Sequence, residues 1–339
     1  ELLSRRRFMF YTIRHVTRYH YNPPVAESVM EVRARPRTEL NQVCRRFELR
    51  TSPRAKLFEY RDVFGNTVDH FDIPARHARL AIASESLVEV VAPPKLPDAL
   101  PASVWDVLDA AVDRGEFWEM LAPSFFARHT PALDQLARDL QVDRRREDPL
   151  TMLRSLTAGL FVAFEYAPQT TRVDSPIDHA LELRRGVCQD FAHIMITMVR
   201  SLRIPCRYVS GYLAHDALSH DRSAADASHA WVEAWLPDLG WVGLDPTNNL
   251  SATERYIRVA VGRDYADVPP TRGIFKGETE SKLEVSVVIE TSAAPVDFGA
   301  SAVLDWPTGV ADETSAASAQ VVTPPVDVVA HRQQQQQQQ

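Results

Sequence analysis

The first part of the chain alternates apolar and polar side chains in the manner of β-strands. Aromatic and β-branched residues dominate residues 11–21, where they follow a partial period of two. The sequence Phe64-Gly65-Asn66 predicts a hairpin turn between two later strands. Residues 9–92 are therefore predicted to form a small antiparallel β domain. Its further strands are predicted at 31–34, 46–51, 56–62, 67–73 and 78–91.

The pattern changes at the proline-rich residues 92–97, which predict a linker. Residues 93–147 are predicted to contain this linker and helical segments. Two more helices are expected to begin at Asp148-Pro149 and near Ser175-Pro176, where a capping side chain precedes a proline. The helices of the linker region are predicted at about 102–112, 117–127 and 131–141.

Apolar side chains then recur every three or four residues downstream of Gly186, which predicts an amphipathic helix with one face in the core. The helix is expected to begin at Cys188 and to end before Pro205, because the residue before a proline avoids helical geometry. A thiol at a helix N-terminus lies among unpaired N–H groups and at the positive end of the helix dipole, and both favour the thiolate. Cys188 is therefore a candidate nucleophile. The apolar positions are Cys188, Phe191, Ala192, Met195, Met198, Val199 and Leu202.

Beyond Pro205 the pattern again predicts strands, so residues 148–268 form an α+β unit in which the helix bearing Cys188 packs on an antiparallel sheet. Residues 269–291 are predicted to be an extension whose final strand returns to the edge of one of the two sheets. Residues 292–339 have low complexity and end in glutamines, which predicts disorder. The strands are predicted at 206–213, 228–236, 241–245, 257–261 and 282–290.

A cysteine nucleophile needs a base and a group that orients the base. His229 begins one predicted strand and Asp245 ends the next. If Trp235 pairs with Trp241, His229 and Asp245 share a face as diagonal neighbours about 7–8 Å apart. Pairing of Leu236 with Trp241 would place them on opposite faces, because side chains alternate along a strand. We predict the first register.

Composition narrows the classes of function. The chain has 339 residues with a net charge of −7 and no basic stripe, so we expect no nucleic-acid partner. No run approaches the roughly 18 apolar residues of a membrane span, and a soluble cytoplasmic protein is expected. Its three cysteines fit no disulfide framework. The histidines and aspartates of residues 215–229 match no ligand spacing, so we expect no metal or other cofactor.

Three segments resemble the bacterial transglutaminase-like superfamily. They are GVCQDFAHIMITMVRSLRIPCRYVSGYL at 186–213, ASHAWVEAWLPDLGWVGLDPTNN at 227–249 and VAVGRDYADVPPTRG at 259–273. The first domain is similar to the β domain that often precedes this core, including DVFGN at 62–66. The resemblance implies a papain-like fold in which Cys188 is the nucleophile, His229 the general base and acid, and Asp245 the orienting group.

The resemblance leaves the acyl acceptor open. Many bacterial relatives are thought to hydrolyse amides as peptidases, whereas transglutaminases transfer a glutaminyl group to an amine. We therefore expect a peptide or glutamine amide substrate and hydrolysis, with transamidation as the alternative. A papain-like module that binds peptides without turnover is the rival from another class.

The remaining site residues are less constrained by the sequence. The backbone N–H of Cys188 is the natural oxyanion donor, and the second donor is predicted to be the side chain of Gln189 or Tyr166. Trp231 and Tyr212 are candidates to line the cleft, and packing in the core is the favoured alternative for Trp231. The oligomeric state is left open.

Overall fold

A computed structural model describes residues 8–292 and residue 294, except for 169, 172–174 and 217–220. The N-terminal strands form one antiparallel sheet in the order β2-β5-β1-β4-β3. The first strand continues through Pro23 and Pro24, where its pairing with β5 is interrupted between His20 and Val25. A proline has no N–H to donate to a strand pairing. Prolines are tolerated at this point because the pairing is interrupted there and needs no such donor. These strands are β1 Phe8–Val32, β2 Gln42–Ser52, β3 Phe58–Arg61, β4 Thr67–Ile73 and β5 His77–Val91.

Six α-helices follow in the described part of the chain, and none of them is long and apolar enough to cross a membrane. The helix predicted at 117–127 is only one turn long. Phe117 has a left-handed backbone (φ 60°) and Ala122 is extended before Pro123, so the helix cannot continue in either direction. The helices are α1 Val104–Asp113, α2 Trp118–Leu121, α3 Pro131–Asp139, α4 Pro149–Ala163, α5 Ile177–Leu183 and α6 Cys188–Ser201.

The second half of the chain contains an antiparallel sheet with the order β11-β10-β9-β8-β12 and a short parallel pair, β6 and β7. Helix α6 packs on this sheet, and the apolar face predicted from its periodicity lies in the main core together with Leu156 and Leu160 of α4. The fold class is therefore the predicted one. The strands are β6 Glu165–Tyr166, β7 Arg185–Gly186, β8 Cys206–Leu213, β9 His229–Leu236, β10 Gly240–Asp245, β11 Leu250–Ser251 and β12 Tyr256–Gly262.

The end of the described chain returns to the N-terminal sheet. Strands β13 (Thr271–Lys276) and β14 (Glu280–Ser292) both pair with β1. The edge strand predicted at 282–290 is confirmed, whereas β13 was not predicted. Apart from Ser292 and Ala294, the predicted low-complexity tail at 292–339 lies outside the described residues.

Two side-chain amides of the N-terminal domain complete the outer edge of β12. Gln42 accepts a hydrogen bond from the N–H of Arg258 (2.8 Å) and donates one to its carbonyl (2.9 Å). Asn66, the last residue of the DVFGN segment, makes the same pair of bonds with Val261, each 2.8 Å long. An open strand edge invites pairing with another chain, so these amides both protect β12 and join the two domains.

A buried ion cluster lies on the same sheet. Glu233 of β9 is fully buried and pairs with Arg207 (Oε2–Nη2 2.6 Å) and with Arg258. Burial acts to raise the pKa of Glu233, but the charges and hydrogen bonds of Arg258 and Arg207 outweigh it and lower the pKa. Glu233 therefore stays ionised and neutralises two guanidinium groups that are themselves nearly buried.

We predict that Glu233→Gln lowers the free energy of unfolding by about 3–5 kcal/mol, because it removes the only carboxylate that pairs with Arg258 in the described chain and leaves Arg207 with the more distant Glu39 at 3.6 Å. Urea unfolding followed by circular dichroism measures the loss. The matched control is Glu48→Gln, which breaks an exposed pair with Arg50 (2.6 Å) and is expected to cost less than about 1 kcal/mol. Equal losses in the two variants would contradict the assignment.

Candidate active site

The strand pairing around His229 and Asp245 is the predicted one. Trp235 pairs with Trp241 and Leu236 with Gly240, so the loop holds an odd number of residues. His229 and Asp245 consequently share a face, and Nε2 of His229 lies 2.7 Å from Oδ2 of Asp245. Both side chains are buried.

Asp245 is surrounded by hydrogen-bond donors. Its Oδ2 also accepts from Nδ2 of Asn248 (2.8 Å) and from the hydroxyl of Tyr256 (2.9 Å), and its Oδ1 accepts from the N–H of Thr247 (2.9 Å). Burial and the neighbouring Asp245 anion raise the pKa of Tyr256 well above its usual value, so its hydroxyl remains a donor. Asn248 and Tyr256 were not predicted as site residues, although Asn248 lies within the second segment that carried the family resemblance.

The two groups titrate as an ion pair. Burial alone would lower the pKa of His229, but the charge and hydrogen bond of Asp245, with a contribution from Cys188, raise it to about 10. Burial would likewise raise the pKa of Asp245, and the charge and hydrogen bond of His229, with the bonds from Asn248 and Tyr256, hold it below its usual value. The ring is therefore an imidazolium near neutral pH.

Cys188 is the first residue of α6 and is half-buried. The turn that presents it is fixed by Asp190, whose Oδ2 accepts from the N–H of Val187 (2.8 Å) and from the hydroxyl of Thr171 (2.5 Å). A Cβ atom on Gly186 would lie 2.6 Å from that oxygen. Glycine is therefore required at position 186 for the carboxylate to reach the start of the helix.

The thiol of Cys188 is close enough to the His229 ring to raise its pKa. The hydrogen bond between them is not fully formed, since Nδ1 of His229 has no partner within hydrogen-bonding limits in the described part of the chain. Such contacts are often long before substrate binds. Because Nε2 is committed to Asp245, Nδ1 is the ring atom that can exchange a proton with the sulfur.

The segment before His229 is held by two other parts of the fold. Asn248 accepts from the N–H of Arg222 (2.7 Å) and donates to the hydroxyl of Ser223 (3.2 Å). The carbonyl of Asp226 accepts from the N–H of Val287 in β14 (3.1 Å). The C-terminal strand and the turn after β10 thus both position the approach to the histidine.

Both predicted second oxyanion donors lie beside the nucleophile. Tyr166 of β6 pairs with Gly186 of β7. Burial raises the pKa of Tyr166 and the nearby Cys188 raises it further, so the hydroxyl keeps its proton. Gln189 follows Cys188 on α6, and its side chain is buried. Which of them donates to an oxyanion stays a prediction.

Trp231 and Tyr212 do not line an open cleft, so that prediction is wrong. Trp231 is fully buried and fills the space beside Gly211, where a Cβ atom would lie 2.7 Å from the indole. Tyr212 is buried between the two sheets, and its hydroxyl lies 2.9 Å from Nδ1 of His15. The two rings pack in separate buried clusters, and a sequence pattern does not distinguish such packing from an open cleft wall.

His215, in the histidine- and aspartate-containing segment 215–229, contacts a carboxylate. Nδ1 of His215 lies 3.4 Å from Asp221, which also pairs with Arg255 at 2.7 Å. Within the described ranges, no group of three or more His, Cys, Asp and Glu side chains is arranged to hold a metal ion.

Two family models match the chain. Residues 11–89 match the bacterial transglutaminase-like N-terminal region, and residues 135–246 match the transglutaminase-like superfamily. Cys188, His229 and Asp245 all fall within the second match.

Several known proteins are similar to this chain in sequence or in fold. An uncharacterised protein of Mycobacterium leprae is 36% identical over 277 residues, which cover 81% of this chain and 96% of that protein. A protein-glutamine gamma-glutamyltransferase of Pseudomonas aeruginosa is 35% identical over 92 residues, only 25% of this chain and 13% of that protein. A solved structure from Cytophaga hutchinsonii, whose suggested function is that of a cysteine protease, has a TM-score of 0.66 at 19% identity and covers 86% of this chain and 93% of its own. That structure shows the shared fold.

We predict that the charge of His229 can be measured from the alkylation of Cys188. An imidazolium beside the thiolate attracts anionic iodoacetate, so the rate with iodoacetate relative to neutral iodoacetamide should be high at neutral pH. The ratio should fall as pH rises through about 10, where the raised pKa of His229 places loss of its proton. Mass spectrometry of the peptide that contains Cys188 gives both rates.

Asp245→Asn tests whether the carboxylate is what raises the pKa of His229. Without the carboxylate, burial lowers the pKa of His229, so the ratio should fall at a lower pH than in the unmodified chain. Circular dichroism at each pH establishes that the fold persists. An unchanged midpoint in Asp245→Asn would show that the carboxylate does not hold the proton on His229.

Proposed function

The chain belongs to the transglutaminase-like superfamily, and on this premise we propose that it is a thiol-dependent amide hydrolase or acyltransferase acting on peptide or glutamine amides. In this proposal Cys188 forms a thioester with the acyl group of the substrate. His229 is the general base and acid, and Asp245 orients it.

The arrangement of the His229 ring carries the proposal. Its Nε2 is fixed by the 2.7 Å bond to Asp245, while its buried Nδ1 is left for the sulfur of Cys188. A nucleophile, a base beside it and a third group that orients the base are what covalent catalysis by a thiol requires. The helix dipole of α6 adds a positive potential at the sulfur.

Acylation begins when the thiolate of Cys188 attacks the amide carbonyl carbon. The developing oxyanion is stabilised by the backbone N–H of Cys188, which has no intrahelical acceptor in the first turn, and by Gln189 or Tyr166. The C–N bond then breaks, and the leaving amine or ammonia takes the proton of His229 Nδ1. The thioester remains on Cys188, and the ring is neutral.

Deacylation uses the neutral ring as a base. His229 removes a proton from the acceptor, which attacks the thioester carbon and displaces the Cys188 thiolate. With water the product is a carboxylic acid, and with a primary amine it is a new amide. We propose water as the acceptor, as the resemblance to bacterial peptidases of this superfamily implies. Transamidation is the alternative, because one relative is named a protein-glutamine gamma-glutamyltransferase.

We predict that Cys188→Ala lowers turnover by about 10³-fold or more with the fold retained, because no other group replaces the nucleophile. The loss of turnover in Asp245→Asn should be roughly a hundredfold smaller than the loss in Cys188→Ala, since the nucleophile and the base remain. Products from a denatured proteome are counted by mass spectrometry. Cys44→Ala, which removes a cysteine from β2, is the matched control and should retain full activity.

The same experiment identifies the acceptor when a biotinylated primary amine is added. Hydrolysis gives deamidated glutamines or new peptide ends, whereas transamidation gives biotinylated products that depend on Cys188. Equal product yields from the unmodified chain and Cys188→Ala would overturn the proposed function. Binding of peptides by both proteins without products would favour the non-catalytic module.

A further inference from the structure

A groove opens at the C-terminal end of α4. Its volume is about 600 Å³, and it is lined by residues 162–166 with Arg184 and Arg222. Val162 and Phe164 supply apolar surface, whereas the two arginines supply positive charge. The groove therefore combines an apolar floor with cationic walls.

The groove reaches the surroundings of the nucleophile through Tyr166, whose pKa the nearby Cys188 helps to raise. Tyr166, one of its lining residues, pairs with Gly186 of β7, and the N–H of Ala167 donates to the carbonyl of Gly186 (2.9 Å). Cys188 follows two residues later. Tyr166 and Cys188 also pack against the same apolar core. A substrate bound at Cys188 would thus extend past Tyr166 into the groove.

Both arginines are held in place by aromatic rings. The guanidinium of Arg222 lies 3.4 Å from the ring centroid of Phe161, and its Nη1 donates to the carbonyl of that residue (2.8 Å). The guanidinium of Arg184 lies 5.3 Å from the ring centroid of Phe164. A stacked guanidinium keeps in-plane N–H groups available for a planar anion.

Neither arginine is neutralised within the part of the chain that the structure describes, since no carboxylate there pairs with Arg184 or Arg222. The acidic residue of the groove, Glu165, is already paired through both oxygens with Arg185 (2.8 Å). The charge that remains unbalanced among the described residues lining the groove is therefore positive.

A pocket of the N-terminal domain gives a useful contrast. It has a volume of about 300 Å³ and also contains arginines. There Arg35, Arg37 and Arg45 each pair with a glutamate at 2.5–2.8 Å. The charge of these three arginines is balanced within the fold, whereas Arg184 and Arg222 have no such carboxylate partner among the described residues.

We propose that Arg184 and Arg222 bind a carboxylate of the substrate, so that Cys188 acts preferentially on amides that have an acidic residue close by. This specificity rests on the proposed function, because it concerns the same nucleophile. Planar guanidinium groups form paired hydrogen bonds with carboxylates, which gives such a site geometric as well as electrostatic selectivity.

The expected preference is modest because both side chains are exposed. An exposed ion pair contributes up to about fivefold in binding, and salt screens it. The preference for an acidic substrate should therefore weaken with added salt, whereas a purely structural role of either arginine would show no such dependence.

Chloroacetyl peptides test the inference, since they alkylate Cys188 without requiring turnover. Peptide amides are made in pairs that differ only in Glu against Gln, placed first, second or third after the chloroacetyl group. At one or more of these positions the Glu peptide should react up to about fivefold faster at low salt. Arg184→Gln and Arg222→Gln should each reduce that ratio.

The matched control is Arg61→Gln, which removes the same charge from β3 of the N-terminal domain and should leave the ratio unchanged. Arg184→Gln alters only an exposed side chain, so it decides the outcome if Arg222→Gln is unstable. The inference is overturned if no position favours Glu, or if the preference persists in both groove variants.

Neutral iodoacetamide separates this failure from failure of the proposed function. If Cys188 reacts readily with iodoacetamide but no Glu preference exists, only the carboxylate site is disproved. If Cys188 is no more reactive than Cys44 in the folded chain, the nucleophile itself is disproved, and the specificity fails with it.

Discussion

The hydrogen bond between His229 and Asp245 is the constraint on which the rest of the site depends. A carboxylate removed from water costs several kcal/mol unless donors replace its hydration. For the fully buried Asp245, these donors come from β9, from the turn after β10 and from Tyr256 at the start of β12. The ion pair therefore depends on three separate parts of the sheet, and the hydrogen bond from Nε2 to Asp245 leaves Nδ1 for Cys188.

Strand β12 connects the site to the N-terminal domain. Tyr256 supports Asp245 from the first position of β12, and two residues later Arg258 is bound by Gln42 and Glu233. The N-terminal domain thus completes the edge of the strand that supplies a donor to the site. Since β14 belongs to the N-terminal sheet and bonds to Asp226 near the histidine, this domain supports the site from a second direction. These contacts give the domain a structural part in positioning the triad.

The sequence predicted those features that depend on local periodicity. The start of α6 at Cys188 follows from apolar spacing, and the register of β9 and β10 follows from the parity of one short loop. The donors around Asp245 could not be predicted in this way, because Tyr256 reaches it only through the order of strands in the sheet. The positions of Trp231 and Tyr212 failed for a similar reason: an aromatic residue on a strand suits either a packed or an open face, and the neighbouring glycines and the second sheet decide between them.

Arg222 links the proposed carboxylate site to the triad. Its side chain lies in the groove, while its backbone N–H donates to Asn248, whose amide in turn donates to Asp245. A substrate carboxylate held by Arg222 would therefore contact the segment that leads into His229. The imidazolium and the two groove arginines are all positively charged. An anionic acyl donor would be attracted by all three charges, so the charge of the triad histidine and that of the proposed carboxylate site favour the same substrate.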